Sequence, residues 1–312
     1  MNLVFISFNV AKRQAIENTG EFTKKDIGLF YHLFINKLNE LSKTYGELIF
    51  CGEGRNSTGY RKSIYPLYKE NRDRSEETYL IIKDEFPTID KLIRMYKTKF
   101  ISIDGAEADD CIYALSMYFS SLGEDVLIVS GDGDLTQLHN YNEKINVFNP
   151  IRNSIVYPKA NILEYKSIVG DASDNIKGIP RLGEKTFQKM MEDKAFFEEK
   201  MKGKMELFEQ IMNIVDLRKY PKEYHEKAVE LYNSTEWNDF DFEGIEKFMV
   251  EKGLIQHVKF WWQTVADIQS RLRGDSIVKD MDVEDAMNNT MYAGFDLDEV
   301  LNILQGENET NE

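Results

Sequence analysis

The chain has 312 residues, 42% of them hydrophobic and 12% aromatic, with a formal net charge of −15. That length suits two domains, and that composition supports a packed core rather than a disordered chain. No apolar run approaches a membrane span and no basic region precedes the apolar start, so no membrane or secretory segment is expected and the protein is predicted to be cytoplasmic.

Cys51 and Cys111 sit among apolar neighbours, as reduced thiols of an intracellular protein would. The net charge argues against nucleic acid as a partner until its distribution is considered. From Asp280 onward there are ten carboxylates and no Lys or Arg, and setting them aside leaves −5 of the −15. Arg55 to Arg74 carries six basic residues against Glu70 and Asp73. Local patches are therefore the better guide.

In chain order, apolar runs at Leu3–Phe8, Leu48–Cys51, Phe100–Ile103 and Val126–Val129 predict strands. Between the first two, Thr23 and Asp26 offer a helix cap, and Ile27, Phe30, Tyr31, Phe34, Leu38 and Leu41 follow helical spacing. Ala108, Cys111, Ile112 and Leu115 predict another amphipathic helix. Strands alternating with helices imply an α/β fold with a mostly parallel central sheet, whose ligands gather at the strands' carboxyl ends. Beyond about residue 159 the chain reads as helical, interrupted by the glycine-punctuated stretch GDASDNIKGIPRLG. Phe260, Trp261 and Trp262 read as local core.

Acidic residues follow three of the predicted strands: Glu53; then Glu107, Asp109 and Asp110; then Asp132 and Asp134. Asp171 and Asp174 lie in the glycine-rich interruption. So many carboxylates converging on one sheet edge repel one another unless cations neutralise them. Hard divalent ions such as Mg²⁺ take oxygen ligands. Two such ions roughly 4 Å apart can activate water and stabilise the leaving oxygen of a phosphodiester. Four histidines without Cys/His spacing argue against zinc, and no Walker A loop is present.

At these residues the chain resembles a known family. EADD, VSGDGDLTQL and VGDASDNIKGIPRLGEKT, preceded by YRKSIYPLYKENR, are similar to the structure-specific 5′-nucleases, which include flap endonucleases, phage RNase H and 5′-exonucleases, and the 5′-nuclease domain of DNA polymerase I. In size it is most similar to the phage enzymes. The resemblance runs over about residues 3–190.

The resemblance implies helices flanking the sheet, a helical arch and a helix-three-turn-helix module. Together with the helical reading from residue 159 and the run of carboxylates from Asp280, it divides the chain into a nuclease domain over 1–158 with an arch segment near 60–98, a helical domain over 159–279, and an acidic tail over 280–312. Glu107, Asp109, Asp132 and Asp134 would be catalytic metal ligands, joined by Asp110, Asp171, Asp174 and Glu53, for two Mg²⁺ ions that Mn²⁺ can replace. Lys69 and Arg72 would assist catalysis. DNA contacts would come from Arg61, Lys62, Tyr65, Tyr68, Lys69, Arg72, Arg74 and Lys83. The hairpin would add Lys177, Gly178, Arg181, Gly183, Lys185 and Lys189, with K⁺ bound at 178–183.

One position departs from the pattern: the family's first strand ends in an Asp, and the matching residue is Ser7. The expected function is a Mg²⁺-dependent 5′-3′ exonuclease or flap endonuclease removing primers or flaps in replication. Its partner would be DNA or an RNA/DNA hybrid with a 5′ end, in a prokaryotic or phage-infected cell. The rival is a nuclease-like module that binds branched DNA without cutting it. The tail, through FDLDEVLNIL, is either a helix folded back on its own domain or a docking element for another replication protein.

Overall fold

A computed structural model describes residues 2–72 and 77–274. Arg74 and the acidic tail over 280–312 lie outside the described residues. Two long helices open the chain, α1 (Asn2–Thr19) and α2 (Ile27–Tyr45). They are followed by β1 (Leu48–Cys51), α3 (Gly59–Ile64), α4 (Glu77–Arg94), β2 (Thr98–Ile101), α5 (Ala108–Ser121), β3 (Val126–Val129), β4 (Ile145–Asn149) and β5 (Ser154–Ile155). The remainder is helical: α6 (Ile162–Ile168), α7 (Glu184–Glu192), α8 (Lys194–Met201), α9 (Met205–Val215), α10 (Lys222–Ser234), α11 (Phe242–Glu251), α12 (Ile255–Lys259) and α13 (Trp261–Leu272).

The first apolar run corrects the sequence reading. Leu3–Phe8 belongs to helix α1, not to a strand. A short apolar run does not distinguish a buried strand from a buried helix, and no Gly or Pro interrupts this one before Gly20. Val4, Phe8, Ala11 and Ala15 recur at helical spacing and are all buried. They pack with Phe30, Tyr31, Phe34 and Leu38 of α2, Ile82 and Ile89 of α4, and Trp261 of α13 in the largest core. Phe260 and Trp262 are instead exposed, so only Trp261 of that trio is core.

The single central sheet is corrected as well. β1 and β2 pair in parallel as one sheet, while β3 pairs in parallel with β4, and β4 antiparallel with β5, as another. With Leu3–Phe8 in α1, no strand among the described residues joins the β1–β2 sheet to the β3–β4–β5 sheet. Residues of β1 and β3 line an open cleft of about 1790 Å³. Helix α5 packs on β1 and on β3 and so bridges the two sheets. Its apolar face, Cys111, Ala114 and Leu115, is buried with Cys51, Ile101 and Ala228.

His32 of α2 and His257 of α12 face each other, with Nε2 of His257 2.9 Å from Nδ1 of His32. Burial, then the neighbouring His32, push the His257 pKa down to about 4. A folded-state pKa below the unfolded value of about 6.5 gives stability that is complete above pH 6.5 and lost as pH falls toward 4. The melting temperature is expected to decline across that window, and His257→Gln to flatten that part of the profile. An identical decline in the variant would remove His257 as its source.

Candidate metal and nucleic-acid site

Helix α5 begins at the acidic cluster. Glu107 is its N-cap, and the Glu107 backbone N–H donates to Asp110 Oδ2 at 3.0 Å. Acids in a helix's first turn are favoured by its partial positive charge. β3 ends at Val129, and the turn after it presents Asp132, which accepts from the Asp134 N–H at 2.9 Å and caps a short 3₁₀ helix over Gly133–Asn140. This is why two aspartates follow that strand: one holds the turn, and the other is aimed toward the third acidic group. Asp171 sits in a tight turn closed by mutual 2.8 Å hydrogen bonds with Ile176.

The acids converge. Ligand oxygens of Asp134, Asp171 and Asp174 all lie within 4.8 Å of one another. A small cavity of about 20 Å³ is bounded by Glu107, Asp109, Asp134, Asp171 and Asp174. Space of that size accommodates a single water or ion. Burial, then the charge of Asp132, raise the Asp109 carboxyl well above its ordinary range. Burial also pushes Asp134 up to about 6, with Lys166 opposing and Asp132 adding to the shift. Glu53 is reached by solvent along the cleft, so the rise imposed by its crowded surroundings and by Glu107 is screened. An all-oxygen donor set whose members repel one another fits hard divalent cations.

Basic residues do not stand apart from this cluster. Lys69 Nζ is 2.5 Å from Glu107 Oε1 and 3.8 Å from Asp174 Oδ1, and Arg72 reaches Asp174 at 2.9 Å. The segment carrying them is strapped to the Asp171 turn. The Lys69 N–H donates to Asp174 O, Asn71 Nδ2 to Ala172 O, and Asn175 Nδ2 to Leu67 O. The Lys177 N–H donates to the Tyr65 hydroxyl at 3.3 Å.

Three expected roles change. Arg61, expected on DNA, is 3% exposed and spends its guanidinium on Glu107, on both oxygens of Asp110 and on the Ile214 carbonyl. Tyr68, also expected on DNA, is 3% exposed and donates to Glu107 Oε2. Asp110, expected as a metal ligand, has both oxygens engaged by Arg61 and is buried. Sequence displays charge but not its direction, and these groups neutralise one another inside. The Glu107 carboxyl is held below its usual range: burial would raise it, but Lys69 and Arg61 outweigh that.

The glycine hairpin joins α6 to α7. Gly178 has φ +65°, and a Cβ there would lie 2.5 Å from the Val169 carbonyl carbon, so the backbone requires glycine. Ile179 and Leu182 anchor the turn in the core, while Lys177, Arg181, Lys185 and Lys189 remain exposed. Gly183 is the N-cap of α7. Lys62 and Lys83 are exposed on α3 and α4.

The family described as 5′-3′ exonuclease, N-terminal resolvase-like domain, matches residues 1–167. The chain belongs to this family. Its curated relatives include a 5′-3′ exonuclease of Buchnera aphidicola subsp. Schizaphis graminum, 35% identical over 175 residues, which are 51% of this chain and 58% of the relative. Ribonuclease H of Enterobacteria phage T4 is 28% identical over 54% of this chain and 60% of its own. DNA polymerase I of Caldicellulosiruptor bescii is 30% identical over 54% of this chain and 21% of its own. The chain thus spans less than two thirds of each relative's length.

Among solved structures, T5 5′-exonuclease with divalent metal ions (zinc) bound has a TM-score of 0.51 at 19% identity, over 80% of this chain and 95% of that one. T5 D15 protein co-crystallised with metal ions also has a TM-score of 0.51, at 21% identity, over 65% of this chain and 92% of that one. The family member described here thus shares the mixed α/β fold of those proteins. Among its described residues no helix is long and apolar enough to cross a membrane.

One residue of the site went unread in the sequence: Lys166 of α6. Its ammonium contacts Asp134 Oδ1 and lies 2.5 Å from Asp171 Oδ2. A single lysine in a polar helical stretch carries no motif, and only the fold brings it to the acids.

Proposed function

We propose that the protein is a divalent-metal-dependent 5′-nuclease that hydrolyses phosphodiester bonds near the 5′ end or flap of branched or nicked DNA or RNA/DNA hybrids. The observation that carries this reading is the convergence of Asp109, Asp134, Asp171 and Asp174 around one small cavity, with Asp132 acting on Asp109 and with Lys69 and Arg72 paired to Asp174. Asp134, Asp171 and Asp174 would hold one divalent ion, and Asp109 and Asp132, with Glu107 and Glu53 nearby, another. Such ions, Mg²⁺ or Mn²⁺, supply Lewis acidity to the attacking water and to the leaving oxygen.

The chain's own residues do the rest. Arg72, half exposed beside Asp174, is placed to hold a phosphate oxygen of the 5′ strand, and Lys69 keeps Glu107 ionised. Lys177, Arg181, Lys185 and Lys189 are exposed in and beside the 178–183 turn, where a duplex backbone would rest, with K⁺ as the family resemblance implies. The helical segment from α6 onward would serve as the duplex-binding part and α3–α4 as the arch. The site of action would be the cytoplasm of a bacterium or a phage-infected cell.

A Mg²⁺-supplemented cleavage assay on a labelled 5′-flap substrate tests the proposal, with chelator as control. Product that disappears on chelation is expected. Tight binding of the flap with no product would overturn it in favour of a binding module.

A further inference from the structure

Asp171 has little freedom in choosing a cation. Its Oδ1 accepts from the Ser173 N–H at 2.9 Å and from Ser173 Oγ at 2.6 Å. The other oxygen, Oδ2, is the one held by Lys166 at 2.5 Å, and the same ammonium contacts Asp134. Among the described residues no other Lys or Arg forms an ion pair with Asp134 or Asp171, whereas Asp174 has Lys69 and Arg72. The Lys166 side chain is 16% exposed, so water screens these contacts weakly.

We propose that Lys166 is a built-in counter-ion whose ammonium holds the place of a divalent cation at the Asp134–Asp171 carboxylates and competes with that cation for them. This rests on the reading that these acids take a divalent ion. An ammonium and a divalent ion cannot share the same two oxygens at contact distance without strong repulsion. Cation entry therefore requires Lys166 to withdraw. Competition weakens the site in the free protein while sparing the fold the full repulsion between Asp134 and Asp171. A phosphate anion at the mouth offers the withdrawn ammonium another partner, so substrate and cation occupancy reinforce one another.

The test is Mn²⁺ binding without DNA, followed by electron paramagnetic resonance, in wild type, Lys166→Met and Asp171→Asn. The class of Mn²⁺ sites lost in Asp171→Asn is expected to bind roughly tenfold more tightly in Lys166→Met. Without metal, Lys166→Met is expected to melt below wild type and to gain more from Mn²⁺ than wild type does. Should it fail to fold metal-free, refolding with Mn²⁺ is expected to rescue it, and no rescue overturns the proposal. A folded Lys166→Met with unchanged or weaker Mn²⁺ affinity also overturns the counter-ion role while leaving the metal reading intact. If neither protein shows Mn²⁺ binding that Asp171→Asn removes, the metal reading falls, and this role with it.

Discussion

Arg61→Met is expected to destabilise the protein by about 3–5 kcal/mol, the usual consequence of stranding buried charge. Methionine fills a similar volume but leaves Glu107 and Asp110, 4% and 1% exposed, without their shared guanidinium. The contact with the Tyr220 ring, 4.6 Å from the Arg61 guanidinium carbon, is lost as well. For a chain of this size each kcal/mol moves the melting temperature by roughly 1.5 °C, so a fall of about 5–8 °C is expected. Adding Asp110→Asn to Arg61→Met should recover part of it, because one of the two stranded charges is then gone. A phosphate contact would behave differently: stability would hold and the salt dependence of DNA binding would drop by about one unit of slope. Arg61→Met melting within about 2 °C of wild type would remove the buried role.

Ser7→Asp is expected to be comparably disruptive. Ser7 is 1% exposed inside α1, among the apolar side chains that pack this helix onto α2 and α4. A buried carboxyl there stays protonated. At pH 7, with an unfolded pKa near 3.9, holding that proton costs about 4 kcal/mol. The sign follows directly: a folded pKa raised above the unfolded one makes the cost grow as pH rises above about 4 and vanish near it. The gap between the melting temperatures of Ser7→Asp and wild type should therefore be smallest near pH 4, where only the cost of fitting the larger neutral side chain remains, and widen steadily toward pH 7, with Mg²⁺ making no difference to it. The helix placement fails if the variant is as stable as wild type at pH 7 and its cleavage saturates at lower Mg²⁺. Ser7 would then sit at the acids, as a strand reading places it.

These two residues mark where sequence was informative and where it was not. Strands β1 and β3 fall on the residues that their apolar runs indicate, and β2 begins two positions earlier than expected, at Thr98. The Thr23–Asp26 capping box and the start of α5 at Ala108 are also where polar caps and helical spacing put them. Those signals are local, and the fold did not override them. Leu3–Phe8 carried no local signal able to separate helix from strand, and tertiary packing decided it. β4 and β5 went unread because INVFN and SI are short and half polar.

In the site, the acids were legible because like charges at strand ends need an explanation. The basic residues were not, since a lysine or arginine looks the same on paper whether it faces solvent or a buried carboxylate. Arg61 and Lys166 were found only from their partners, 46 and 32 residues away in the chain.

The strap between residues 65–72 and the Asp171 turn has a kinetic side. Its hydrogen bonds join residues 101 to 112 positions apart. Contacts of such separation pay their loop-closure entropy before they return any stabilisation, and so form after local helices and hairpins. While the strap is open, Asp174 lacks Arg72 and Glu107 lacks Lys69, so closing it brings carboxylates and their neutralising bases together in one step. The chain is expected to assemble its most mutually repulsive neighbourhood last, when the scaffold that must bear the repulsion is already built. Divalent ions added during refolding should then quicken the slow final phase and leave the early, helix-forming phases unchanged.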